Sequence, residues 1–279
     1  MSEAKVALGR RLFHETRLSV SGRDSCASCH DPARAFTDGR RVAVGATGAA
    51  TRHNSMALVN VAYNTSYGWT KPTVRSLEEQ MLEPLFNEHP VELGLKGREA
   101  AVAAELALDP AYAPAFAAAF PGETPVRFDL VVKAIAAYER TLISGDSPFD
   151  AYVFRGDHDA MPAAAKRGMA LFFSERVGCS SCHSGFNFAG SWRDAQGATG
   201  EPSFADNGAS EGKMRVPTLR NVTLTAPYMH DGKLATLEAV LDHYVSAQLR
   251  PFTLSGEERS ELLAFLESLT DPQFIAREE

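Results

Sequence analysis

No run of apolar residues in the 279-residue chain approaches the length of a membrane span, so a bilayer-crossing helix is excluded and the mature chain is expected to be soluble. Basic charge is not in excess. The 28 lysines and arginines face 35 aspartates and glutamates, and the net charge of −7 disfavours a nucleic-acid partner. Strand patterning is weak throughout, so the expected fold is mainly α. The opening Met1-Ser2-Glu3-Ala4-Lys5 has no apolar stretch of the kind a signal peptide carries. Cysteine is scarce, with four in all, and each falls in a motif, so none is left over for a structural disulfide.

The four cysteines make two copies of one pentapeptide, Cys26-Ala27-Ser28-Cys29-His30 and Cys179-Ser180-Ser181-Cys182-His183. C-x-x-C-H is the attachment pattern of c-type haem: two thiols form thioethers to the porphyrin vinyl groups and the histidine supplies an axial nitrogen to the iron. A thioredoxin-like pair or a chance spacing would not place a histidine after both copies. A zinc site would need ligands gathered from both ends of the chain, which the spacing does not suggest. The reading is a protein with two covalently bound haem c groups. Covalent haem attachment is extracytoplasmic in bacteria, so the expected location is the periplasm, with an export signal removed.

A short helical pattern precedes each motif and opens the same way, Gly9-Arg10-Arg11-Leu12-Phe13 and Gly168-Met169-Ala170-Leu171-Phe172. The echo indicates a duplicated cytochrome c-like unit. Two domains are expected, 1–150 with the first haem and 151–279 with the second, joined within Ser144 to Pro162. Ser76 to Leu82 reads as a short helix stopped by Pro84, and alanine-rich helices follow at about 97–108 and 111–119. A further helix starts at Thr124-Pro125 and carries Leu130, Val131, Ala134, Ile135, Tyr138 and Leu142 on one stripe. Gly190 to Gly212 has too little apolar content for a core element and reads as loop. Beyond it Leu237, Val240, Leu241 and Tyr244 fall at i, i+3, i+4 and i+7 of a helix. Ser255 and Glu258 have the spacing of a capping box opening the last helix, which buries Leu262, Leu263, Phe265, Leu266 and Leu269.

Taken together, these segments resemble the bacterial di-haem cytochrome c peroxidase and MauG superfamily over almost the whole chain. The resemblance rests on both haem motifs, Asp38-Gly39, Asn54-Ser55, Trp69, Leu77-Glu78-Glu79-Gln80, Pro84 and Pro90-Val91-Glu92. It continues through Val216-Pro217-Thr218-Leu219-Arg220-Asn221 and Thr225-Ala226-Pro227-Tyr228-Met229-His230-Asp231-Gly232. The words around Trp69 and Pro84 to Leu95 are also similar to the MauG-like enzymes found beside methanobactin-type operons. One departure is Met56, where the family commonly has proline.

The resemblance implies a division of roles. The N-terminal haem would be the peroxide site and the C-terminal haem the electron relay, with His30 and His183 as proximal ligands. The peroxidase branch caps its first iron with a histidine in the loop that here reads Val44-Gly45-Ala46-Thr47-Gly48, without histidine; His53 is the remaining candidate. The first iron would therefore be open. The methionine that caps the second iron in that branch aligns with Tyr244, the residue type that MauG uses there. Tyr244 is otherwise a core aromatic, and His243 and Met229 are its rivals as ligand. A phenolate favours ferric and higher oxidation states over what a thioether supports. Trp69 matches the tryptophan between the haems, whereas Trp192 reads as packing or surface. Glu92, Gln80 and Pro84 match the peroxide pocket, with Glu92 as the general acid–base group that moves a proton between the peroxide oxygens. Asn54 and the carbonyls of Thr225 and Pro227 match an inter-haem Ca2+ site, and hard oxygen donors suit that ion.

The functional expectation is a MauG-like enzyme that uses hydrogen peroxide to reach a high-valent state shared by both haems and oxidises a tryptophan or tyrosine on a partner protein. The alternative is a cytochrome c peroxidase that reduces peroxide to water with electrons from a small cytochrome or cupredoxin. A non-catalytic electron carrier or haem sensor is the third reading.

Overall fold

Gly9 and Gly168, the first residues of the internal echo, are the points at which each half of the molecule crosses its helices. In the computed structural model, which describes residues 1–71, 73–190, 204–205, 214–246 and 252–274, nine helices form the frame of the described residues. They are α1 (Glu3–Phe13), α2 (Leu77–Phe86), α3 (Glu99–Leu108), α4 (Ala113–Ala119), α5 (Phe128–Glu139), α6 (Pro148–Phe154), α7 (Ala163–Phe172), α8 (Leu237–Ser246) and α9 (Gly256–Glu267). The mainly α expectation holds. One antiparallel ladder pairs Phe204–Ala205, within the Gly190 to Gly212 stretch that reads as loop, with Met214–Arg215 beyond it.

α1 packs on α5, and α7 on α9. A Cβ on Gly9 would lie 1.9 Å from the Ala134 carbonyl oxygen, and one on Gly168 would lie 1.8 Å from that of Glu261. Only a residue without a side chain lets the paired backbones approach this closely. Each crossing seeds a core. Leu8, Leu12, Phe13, Leu130, Ile135 and Tyr138 belong to the first; Phe149, Phe172, Leu262 and Phe265 belong to the second. Phe274, near the end of the chain, returns to pack in the first core against Phe36.

The stripe on α5 is buried as its spacing requires, but the helix begins at Phe128, not at Thr124-Pro125. Its entry is set by Val126 and Phe128, which pack against the first core, and its N-cap Arg127 makes no capping bond. α2 also departs from expectation, running through Pro84 to Phe86. Proline deprives the Gln80 carbonyl of its helical partner, yet burial of Leu77, Met81 and Leu85 on one face carries the helix on. The Ser144 to Pro162 segment is not a bare linker: it contains α6 and buries Ser144, Ser147 and Asp150. The capping box at Ser255 forms as the spacing indicates, and Leu263 is only half-buried. Trp192 lies outside the described residues.

Candidate haem sites

The two pentapeptides adopt the same local structure. Cys26–Ser28 and Cys179–Ser181 are single 3₁₀ turns, and the N–H groups of His30 and His183 reach back to the carbonyls of Cys26 (3.0 Å) and Cys179 (2.9 Å). Nδ1 of His30 lies 2.9 Å from the Phe36 carbonyl, and Nδ1 of His183 lies 2.8 Å from that of Phe188. An imidazole that donates from Nδ1 presents Nε2 as a metal ligand, and such a bond to a backbone carbonyl fixes the ring and raises its basicity. Both phenylalanines hold their carbonyls in place from left-handed backbone, φ 62° at Phe36 and 50° at Phe188. Burial depresses the pKa of both histidines, with the backbone of Met56 facing His30 and that of Pro217 facing His183. Burial likewise pushes the Cys29 and Cys179 thiols up to about 11 and that of Cys26 higher still. In each motif a cysteine sulfur held uncharged stands beside an Nε2-presenting histidine, the arrangement that attachment and ligation of haem c require, so the residues fit the group.

The second motif opens on a cavity of about 390 Å3 whose walls are mostly apolar. Cys179, Cys182 and His183 line it together with Leu237, Val240, Leu241 and Tyr244. The i, i+3, i+4, i+7 stripe of α8 therefore faces the cavity. The Tyr244 hydroxyl is pushed up to about 12, first by burial and then by the nearby sulfurs of Cys182 and Cys179. Of its rivals, Met229 lines the same cavity and His243 is not among the lining residues. Nε2 of His243 is buried without a hydrogen-bond partner among the described residues.

Around the first motif, the segment bearing Glu92 lies along the end of α2, with the Leu93 N–H donating to the Pro84 carbonyl at 2.9 Å. Gln80 and Pro84 are one turn apart on α2 and half-buried. Glu92 has its pKa raised by burial, opposed by a hydrogen bond from Asn87, and it acts electrostatically on Cys29. The histidine-free loop is pressed onto this carboxylate's backbone: the Ala46 N–H donates to the Glu92 carbonyl at 2.7 Å, and a Cβ on Gly45 would sit 2.0 Å from the Val91 carbonyl oxygen. Glycine at position 45 is what permits that approach. His53 faces His230, with ring centroids 5.9 Å apart.

Between the motifs, Trp69 is fixed at both ends. Its Nε1–H donates to the Asn54 carbonyl at 2.8 Å, and its own carbonyl accepts from the Arg215 N–H at 2.8 Å. The Asn54 side-chain amide donates to the Arg40 carbonyl at 2.8 Å. Asn54, Thr225 and Pro227 all line the cavity that also holds the second haem motif and Trp69. Among the described residues, no hydrogen bond ends on the carbonyls of Thr225 or Pro227.

Sequence reasoning missed a second echo. Leu58-Val59-Asn60-Val61 repeats as Leu219-Arg220-Asn221-Val222, and it aligns Met56 with Pro217. Both asparagines are left-handed, φ 58° and 57°, and each opens a 3₁₀ turn. Each N–H donates to a carbonyl just beyond a long helix, Asn60 to that of Leu142 after α5 and Asn221 to that of Leu269 after α9. The signal was present as the repeated L-x-N-V word. Arg220, which carries no signal of its own beyond the motif around it, is fully buried and forms a fork with Asp150 at 2.8 and 2.9 Å.

The family model for di-haem cytochrome c peroxidase matches residues 3–159. The methylamine utilization protein MauG of Methylorubrum extorquens is 38% identical over 96% of this chain and 79% of its own length. The cytochrome c551 peroxidase of Pseudomonas aeruginosa is 33% identical over 98% of this chain and 80% of its own length. Among solved structures, a MauG-like protein associated with microbial copper homeostasis superposes with a TM-score of 0.91 at 36% identity, covering 99% of this chain and 91% of that one.

Proposed function

The chain belongs to the di-haem cytochrome c peroxidase family, whose members are peroxide-dependent oxidoreductases carrying covalently bound haem c, and on that premise we propose that it acts as a MauG-like enzyme. In this reading it uses hydrogen peroxide to oxidise a tryptophan or tyrosine of a partner protein, in the periplasm, by long-range electron transfer. The observation that carries the proposal is the position of Tyr244 on the α8 stripe, across the cavity shared with Cys179, Cys182 and His183. An anionic oxygen ligand there favours oxidised haem, so residues 151–279 hold oxidising equivalents where a methionine-capped relay would readily accept electrons.

The haems supply peroxide activation and electron storage when bound; the protein's groups do the rest. Glu92, a carboxyl whose proton affinity burial has raised, is suited to take the proton from the inner peroxide oxygen and return it to the outer one. Gln80 and Pro84 line the same side from α2 and restrict what enters. The loop 44–48 has no histidine to occupy the first iron, so residues 1–150 need no prior reduction to admit peroxide. Trp69, held by Asn54 and Arg215, is the conduit between the halves. Asn54 with the carbonyls of Thr225 and Pro227 would hold Ca2+, and their convergence on one cavity supports that assignment.

Relatives named as cytochrome c peroxidases match at 33–34% identity, which keeps the second reading in view: reduction of peroxide to water with a small cytochrome or cupredoxin as donor. Replacing Tyr244 by methionine separates the two. In the MauG-like reading, stoichiometric peroxide converts both haems of the ferric wild type, and Tyr244→Met loses the oxidised signal of the second haem while gaining turnover with a reduced cytochrome donor. Unchanged peroxide spectra in Tyr244→Met would reject the role of Tyr244.

A further inference from the structure

Arg215 is a buried cation that no carboxylate of the described residues neutralises. It is 8% exposed, and its guanidinium donates from Nε to the Gly68 carbonyl at 3.1 Å and from Nη2 to the Met56 sulfur at 3.3 Å. Neither acceptor is charged. Among the described residues no carboxylate pairs with it, in contrast to Arg220, whose burial is matched by the Asp150 fork. The Tyr67 phenol is the ionisable neighbour that favours its charged form, and burial draws its pKa down to about 10. Guanidinium groups stay protonated at neutral pH, and leaving one uncompensated in the interior is strongly destabilising. Among the described residues the polypeptide provides no anion for it, and an anion held in its cavity supplies one.

The position of Arg215 says what that anion is. It lines the same mostly apolar cavity as Cys179, Cys182 and His183. A haem attached through those cysteines has consumed its vinyl groups and keeps two propionates, the only anionic groups on the porphyrin. We propose that Arg215 is the anchor for a propionate of the C-terminal haem. Its backbone N–H, bonded to the Trp69 carbonyl, ties that haem edge to the inter-haem tryptophan. Arg215 thus positions cofactor and conduit as one unit. A bidentate guanidinium–carboxylate pair is the strongest such contact available to a side chain. Its positive charge beside the porphyrin also favours the reduced iron, so it sets the haem potential as well as the haem orientation. The inference requires only that the C-terminal haem occupies this cavity; it holds for either substrate reading above.

The test is potentiometry and resonance Raman spectroscopy on the holoprotein and its Arg215→Met and Arg215→Lys variants. Arg215→Met is expected to lower the midpoint potential of the C-terminal haem alone and to shift its propionate bending band. Arg215→Lys, which keeps the charge, is expected to restore most of the potential. Should Arg215→Met fail to load haem, redox difference infrared spectra of the unaltered holoprotein with isotopically labelled propionates give the answer, with an ionised carboxylate expected. An unchanged potential and band in Arg215→Met, or two protonated propionates in the infrared spectrum, would overturn the proposal and leave Arg215 a prop for the Gly68 backbone. The peroxide response of Tyr244→Met is independent of this outcome.

Discussion

Glu139, at the end of α5, is the acidic counterpart of Arg215. It is 6% exposed, its Oε2 has no hydrogen-bond partner among the described residues, and its charge bears on Cys26 of the first haem motif. The adjacent Arg140 cannot serve it, being held by Glu78 at 2.9 and 2.6 Å. Burial pushes the Glu139 carboxyl up to about 8, with Glu78 adding to burial and Arg140 opposing it. The folded state thus keeps a proton that the unfolded chain releases, and stability falls as pH rises from about 4.5 toward about 8. Glu139→Gln keeps the shape without the titration. It is expected to be more stable than wild type at pH 8, by about 1–3 kcal/mol, and equal to it at pH 4 in thermal melts. Parallel melting profiles across that range would show that Glu139 is ionised in the folded protein. At this scale the haem-binding residues were legible because thioether and axial bonds need contiguous cysteines and histidine. Arg215 and Glu139 were not, because nothing in the neighbouring sequence separates a buried ionisable side chain from one at the surface.

Among elements, the crossings decide the architecture. Gly9 and Gly168 were readable as an echo, and their role follows from Cβ positions 1.9 and 1.8 Å from facing carbonyls. No flexible side chain is there to yield, so Gly168→Ala must push α7 away from α9. The expected cost is at least about 1–3 kcal/mol, seen as a lower thermal midpoint together with disturbed absorption of the C-terminal haem. Gly9→Ala should do the same through α1 and α5 to the N-terminal haem. A Gly168→Ala protein that melts like wild type would place the crossing elsewhere. Hydrophobic stripes such as those of α5, α8 and α9 were visible because burial repeats with the helical period. Helix ends at Pro84 and Thr124-Pro125 were misjudged because burial of Met81, Leu85 and Phe128 outweighed local proline preferences. The Leu-x-Asn-Val words passed unnoticed because their asparagines act through backbone conformation and tertiary bonds.

Across the whole molecule, the repeated asparagines close the two halves on each other. Asn60 exchanges bonds with Ser144, donating to its carbonyl and accepting from its N–H at 2.8 Å each. Asn221 donates to Ser144 Oγ at 3.0 Å and accepts from the Asp271 N–H at 2.8 Å. Ser144 Oγ donates in turn to Asp271 at 3.2 Å. This buried network ties Asn60 and Ser144 to Asn221 and Asp271 and keeps the halves in a fixed relation. The halves are built alike and finished differently. One has a glycine-rich loop pressed onto Glu92, and the other has Tyr244 lining the cavity that Cys179, Cys182 and His183 also line. That asymmetry is the central claim, and electron paramagnetic resonance of the ferric protein, recorded before and after one equivalent of hydrogen peroxide, tests it most directly. The account predicts one high-spin haem, open at the first site, and one low-spin haem capped by Tyr244, with both signals lost together on adding peroxide. Two low-spin signals at rest, both unmoved by peroxide, would contradict it.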